Sequence, residues 1–196
     1  ITKENNADDL NLGSSWGGSV VPGLNDVGVW NNTVTGANTT LLGANLSLAG
    51  LRLVDPGGAV SISAGNVLTL GKSGIDMSAA TQNLTISSGL TIAPGSQIWD
   101  VASGRTLTLN TGTFTRSAGS TLSLPGSGTI TASMTGIANT NGILGPWATF
   151  GTGTATSFAT LSGGNLIAST GTAVSGAGLT NPGSTTANYD ITTAST

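Results

Sequence analysis

Eight carboxylates are the side chains of this sequence best suited to acid–base chemistry: Glu4, Asp8, Asp9, Asp26, Asp55, Asp76, Asp100 and Asp190. A two-carboxylate mechanism, as in glycoside cleavage, needs a pair held face to face at fixed separation in a groove. Asp76 and Asp100 sit in or beside apolar triplets, Ile75-Asp76-Met77 and Trp99-Asp100-Val101. Those triplets make them outward-facing, solvated positions. The pair Asp8-Asp9, with Asn5 and Asn6, offers clustered oxygens of the sort a hard cation prefers. The glycine-rich nonapeptide of calcium-binding β-rolls is missing, and an exposed acidic cap is the reading these residues favour. Lys3 and Lys72 are the lysines an isopeptide crosslink would require, each needing a neighbouring Asn or Asp and a buried acid. Trp16, Trp30, Trp99 and Trp147 can either stack on sugars or plug the ends of a fold, and burial favours the second. Thr recurs two residues apart at Thr33/Thr35, Thr106/Thr108, Thr111/Thr113/Thr115, Thr129/Thr131 and Thr152/Thr154/Thr156. Such pairs form ice-binding ladders when they repeat at one coil spacing, which the sequence does not display.

The chain has no His and no Cys. Imidazole catalysis, thiolate chemistry, disulfides and the usual zinc sites are thereby excluded. With so few groups of perturbed pKa at hand, the sequence predicts no catalysis, no cofactor and no metal. Five basic residues, scattered against a net charge of −3, form no cationic patch for nucleic acid or for an anionic membrane. No apolar run is long enough for a membrane-spanning helix, and the opening Ile1-Thr2-Lys3-Glu4 is not a signal peptide. The expectation is a mature, secreted protein.

What must position any site is a repeating short strand. Leu46-Ser47-Leu48, Leu51-Arg52-Leu53, Val60-Ser61-Ile62, Leu68-Thr69-Leu70, Leu84-Thr85-Ile86, Leu90-Thr91-Ile92, Leu107-Thr108-Leu109 and Leu122-Ser123-Leu124 share one apolar–polar–apolar pattern. Period-two alternation buries one strand face and wets the other. The close spacing leaves room only for tight turns, marked by Pro56-Gly57-Gly58, Ala64-Gly65-Asn66, Pro94-Gly95 and Pro125-Gly126. With charged residues at 7%, Gly at 31 positions and apolar residues at 37%, the surface is polar without being ionic. The regular alternation distinguishes the chain from a disordered one. The predicted fold is all-β: a parallel β-helix (β-solenoid) with short strands and a looser C-terminal β segment. It divides into an N-terminal cap over 1–45, a solenoid body over 46–135 and a C-terminal segment over 136–196. Leu68, Leu70, Leu84, Ile86, Leu107 and Leu109 are predicted inside, and one or two longer strands or a hairpin are expected after Gly142. An antiparallel sandwich is the structural alternative, but it calls for longer strands.

The segment Trp16-Gly17-Gly18 through Pro22, Asp26 and Trp30, then Thr33-Val34-Thr35-Gly36-Ala37-Asn38-Thr39-Thr40, is joined by Pro56-Gly57-Gly58-Ala59-Val60, Asn83-Leu84-Thr85-Ile86, Trp99-Asp100-Val101 and Trp147-Ala148-Thr149. Together these resemble bacterial surface proteins with autotransporter-associated β-strand repeats, of the Verrucomicrobia and Planctomycetes type. The resemblance implies a β-helical passenger at the cell surface. This chain differs in having neither a long repeat array nor a terminal barrel. The function expected on these grounds is structural: an extracellular subunit that polymerises head to tail into a fibre. Tyr189 and Ile191 in the strand-prone tail, and Ile1 at the other end, are its candidate interface residues. An adhesive or glycan-binding module, an ice-binding β-helix and a carbohydrate-active enzyme follow as alternatives.

Overall fold

Short strands separated by Gly- and Asn-bearing turns stack here as coils, each rung pairing in parallel with the rung one coil before it. A computed structural model describes residues 1–110, 112–170, 172–174 and 189–191, the last two segments by their backbone. No α-helix occurs among the described residues, only three 3-10 turns.

The coils present three faces. On the first lie β1 (Val27–Trp30), the C-terminal parts of β3 (Leu46–Leu53) and β5 (Val67–Met77), then β8 (Gly95–Val101), β11 (Ser120–Leu124) and β13 (Ala148–Phe150). The second face holds β2 (Asn38–Thr40), β4 (Val60–Ile62), β6 (Leu84–Ile86), β9 (Thr106–Leu109) and β12 (Thr129–Ala132). The third consists of the N-terminal parts of β3 and β5 followed by β7 (Gly89–Ile92) and β10 (Phe114–Arg116). β3 and β5 turn the corner between the third and first faces, and their register shifts there between Leu48 and Gly50. Gly74 makes that corner possible: its φ is +57°, and a Cβ on it would collide with the carbonyl oxygen of Ile98 on the next coil.

Alternation does the packing. Val60, Leu84, Leu107 and Ile130 are register partners, as are Ile62, Ile86, Leu109 and Ala132, and all are buried. On the third face Leu68 stacks on Leu90, and Leu70 on Ile92, each fully buried. Every predicted interior residue is therefore inside. Each such side chain contributes about 1.5–3 kcal/mol on leaving water, and the column geometry gives it the same neighbour type above and below.

Two features depart from the expected boundaries. The parallel stack begins at β1 and β2, within the segment read as a cap. β2 escaped the triplet pattern because its inward residues are Asn38 and Thr40 rather than aliphatic. At the other end β14 (Ser157–Ser162) and β15 (Asn165–Ala168) form an antiparallel hairpin. β14 also pairs with β13 and β15 with β12, so the hairpin bridges the first and second faces. The hydrogen-bonded path thus climbs one face, crosses the hairpin and descends the other, and its two terminal strands, β1 and β2, both belong to the first coil.

Candidate functional surfaces

The outward side chains of the first face form a column: Val29, Arg52, Asp76 and Asp100 occupy matched positions on successive coils. Arg52 Nε lies 3.1 Å from Asp76 Oδ2, and both groups are about half exposed. An ion pair so placed contributes no more than about 1 kcal/mol. Asp76 Oδ1 also accepts from the hydroxyl and the backbone N–H of Ser78. Asp76 and Asp100 are therefore adjacent on an outer sheet face, one neutralised by Arg52. This is the solvated arrangement expected of them.

At the N-terminal end the acidic segment wraps a buried cation. Lys3 is fully buried, and its Nζ donates to Glu4 O at 3.0 Å, Asn6 O at 2.8 Å and Asn6 Oδ1 at 2.7 Å. Burial lowers its pKa below that of an ordinary lysine, with Asp8 and then Glu4 opposing the shift through their charge. Several of the oxygens that could suit a hard cation are engaged: Asn6 Oδ1 by Lys3, Asp8 Oδ2 by Ser14 Oγ at 2.6 Å, and the Asn5 amide by Thr35 in both directions. The lysine ammonium takes the place of a cation. No cluster of acidic metal ligands occurs among the described residues. Lys3 and Asn6 meet as an isopeptide pair would, but Glu4 and Asp8 are exposed, so no buried acid polarises the Asn6 amide.

Trp16, Trp30 and Trp99 lie inside, and Trp147 is partly buried against the core. Trp16 and Trp30 meet edge to face at 5.5 Å in the first coil, and each is only 1% exposed. Their indole N–H groups donate to Leu10 O at 2.7 Å and to Asn38 Oδ1 at 3.0 Å. Gly28 leaves room for the Trp16 ring, whose edge lies 3.0 Å from where a Cβ would stand. Trp99 packs edge to face on Phe114, Phe114 stacks on Trp147 at 6.0 Å, and the Arg116 guanidinium lies over Trp147 at 5.5 Å. These rings plug the interior of the coils, and no planar aromatic platform for a sugar is built from them.

The candidate interface residues fall at two places. Ile1 packs against the core, and its amino group donates to Val27 O at 2.7 Å. Thr2 bridges in parallel to Val29, so the first residues cover the outer edge of β1. Tyr189 and Ile191 bound β17 (Tyr189–Ile191), which pairs in parallel with β16 (Thr172–Val174) of the same chain. The rest of the tail, 175–188 and 192–196, lies outside the described residues. At the other end of the solenoid, β13 and β15 occupy the outer edges of the first and second faces.

The sequence missed one feature. The outward residues of the second face, Thr39, Ser61, Thr85, Thr108 and Thr131, are consecutive register partners. Their spacings in the chain vary from 22 to 24 residues because the turns differ in length. A search for a constant period passes over the ladder, whereas alignment on the flanking apolar pairs would have shown it.

Compared with protein-family models, with curated proteins and with solved structures, the chain finds no match.

Proposed function

We propose that the chain is a non-catalytic structural protein of the bacterial cell surface, a β-solenoid subunit that associates with a second copy through the edge of its first coil. The observation that carries this reading is the position of the free edges. Both terminal strands of the sheet lie on the first coil; β1 is covered by Thr2, while β2 has no strand on its outer side. Asn38 N–H donates to Ala59 O, and Thr40 O accepts from Ser63 N–H, so residues 38 and 40 face β4. The N–H and C=O of Thr39 between them therefore point outward. Nearby, Leu41 O accepts from Leu10 N–H, and Leu41 and Leu12 are each 48% exposed. An unpaired edge with apolar flanks and no lysine on it is a template for another strand. Because the hairpin closes the first and second faces at the opposite end, association through β2 joins two copies end to end rather than building an endless head-to-tail fibre. The surface location rests on the sequence resemblance and on the low-charge, turn-rich composition.

Light scattering after size exclusion tests the reading. The wild-type chain is expected to shift from monomer to dimer with rising concentration. Thr39→Pro removes an N–H that β4 does not use, a change an edge strand tolerates. Leu41→Lys places a charge beside the same edge. Both variants should stay folded and monomeric. A wild-type chain that is monomeric at every concentration, or variants that dimerise as it does, would overturn the proposal.

A further inference from the structure

The second face differs from the other two in three respects that bear on one kind of ligand. First, its register runs through five rungs without a shift, whereas the sheet of β3 and β5 slips at Leu48/Gly50. Second, none of its outward positions is charged or aromatic: the central column is Thr or Ser throughout, and Ala, Asn, Thr, Ser and Leu41 flank it. The first face, by contrast, carries Arg52, Asp76 and Asp100, and the third ends at Arg116. Third, no hydroxyl of the central column is spent on a protein hydrogen bond among those described, so all five are available to solvent.

We propose that this face binds ice. Rungs of a parallel sheet repeat every ~4.8 Å, and side chains two residues apart on one strand stand roughly 6.6 Å apart. The face is thus a two-dimensional grid with one unbroken column of hydroxyls, whose repeat is close to the oxygen repeat of hexagonal ice. Thr suits this task because β-branching holds its torsion in few states, so hydroxyl and methyl are fixed before the ligand arrives. The methyls and the neighbouring alanines keep water from binding the face in random orientations, while the hydroxyls anchor an ordered layer. Turns of unequal length absorb the differences between coils and leave this grid intact.

The same features weigh against other occupants. Crystalline polysaccharides are gripped by stacking on exposed rings, and Trp16, Trp30 and Trp99 are buried beneath the sheets. A charged polymer finds no counter-charge on the face. A second copy would gain little apolar contact from a surface of hydroxyls and amides. Ice binding is independent of pairing through β2, so either property can fail without the other.

The test is adsorption of the purified chain to a growing ice surface, together with thermal hysteresis. The wild-type chain is expected to enter the ice and to shape crystals. Thr85→Tyr and Thr108→Tyr, each at the middle of the column, should lower thermal hysteresis about tenfold, the scale of loss at a central contact. Ser123→Tyr, on the outward side of the first face, should leave it unchanged. Thr85→Lys serves as a second central variant should a tyrosine disturb folding, and far-ultraviolet circular dichroism verifies each protein. Exclusion of the wild-type chain from ice, equal activity in the central variants, or retention on cellulose or chitin in place of ice would overturn the proposal.

Discussion

Trp30 donates its indole N–H to Oδ1 of Asn38 at 3.0 Å inside the first coil, and the Asn38 amide in turn donates to Asn6 O at 2.8 Å. One buried amide thus ties β1, β2 and the N-terminal segment together. The inward position it fills is held by Val60, Leu84 and Leu107 on the following coils. A polar residue is acceptable there because both its amide nitrogen and its oxygen are hydrogen-bonded.

Replacing Asn38 with Ala leaves the buried Trp30 N–H without a partner and removes one of two donors to the Asn6 carbonyl, which keeps Lys3 Nζ. An orphaned buried group costs about 1–3 kcal/mol, so the variant should lose stability in that range in denaturant titration. Asn38→Leu matches the aliphatic column but orphans the same indole N–H, and it should be no better. Recovery of wild-type stability by Asn38→Leu would show that the column, not the hydrogen bonds, holds the first coil.

Much of this fold was legible before any coordinates. Leu68-Thr69-Leu70 and Leu107-Thr108-Leu109 announce both strand and facing, because burial on one side imposes period two on the residues themselves. β2 was not legible as a rung: Asn38 owes its inward placement to Trp30 and Asn6, and Thr40 faces inward beside Ile62 with its hydroxyl unbonded, so neither shows the aliphatic pattern. The hydroxyl ladder was hidden for a different reason. Thr85 and Thr108 are adjacent on the surface only because each coil closes, and closure depends on turns whose lengths vary. The closing hairpin was anticipated in kind after Gly142, but its pairing with both β12 and β13 is a tertiary fact with no local signature.

Thr40 offers the opposite experiment to Asn38. It is 2% exposed, and its Oγ1 has no hydrogen-bond partner. Its neighbour along the inward column is Ile62. Val has nearly the same shape and no hydroxyl to desolvate, so Thr40→Val should be neutral or raise stability by about 1 kcal/mol. Calorimetric melting of the two proteins decides the point. A clear loss on Thr40→Val would reveal a bond to that hydroxyl in solution.

Lys3 makes the N-terminal segment sensitive to pH in a direction set by its burial. Its folded pKa is lowered, first by desolvation, with Asp8 and Glu4 only partly restoring it. Between that lowered value and the ordinary lysine value of about 10.4, the unfolded chain binds more protons than the folded one. Stability therefore rises with pH across this window and is flat below it, where both states carry the charge. A lysine held by a dominant ion pair would behave in reverse. Lys3→Met removes the titrating group and takes one charged donor from each of Glu4 O, Asn6 O and Asn6 Oδ1, which keep the Asn6 N–H, the Asn38 amide and the Asp8 N–H as partners, so it should cost about 1–3 kcal/mol at neutral pH. The stability difference between wild type and Lys3→Met, followed by urea unfolding from pH 7 to 11, should widen as the wild-type chain gains stability on the alkaline side. A difference that narrows instead, with the wild type losing stability through the same range, would mean that the carboxylates outweigh burial at this site.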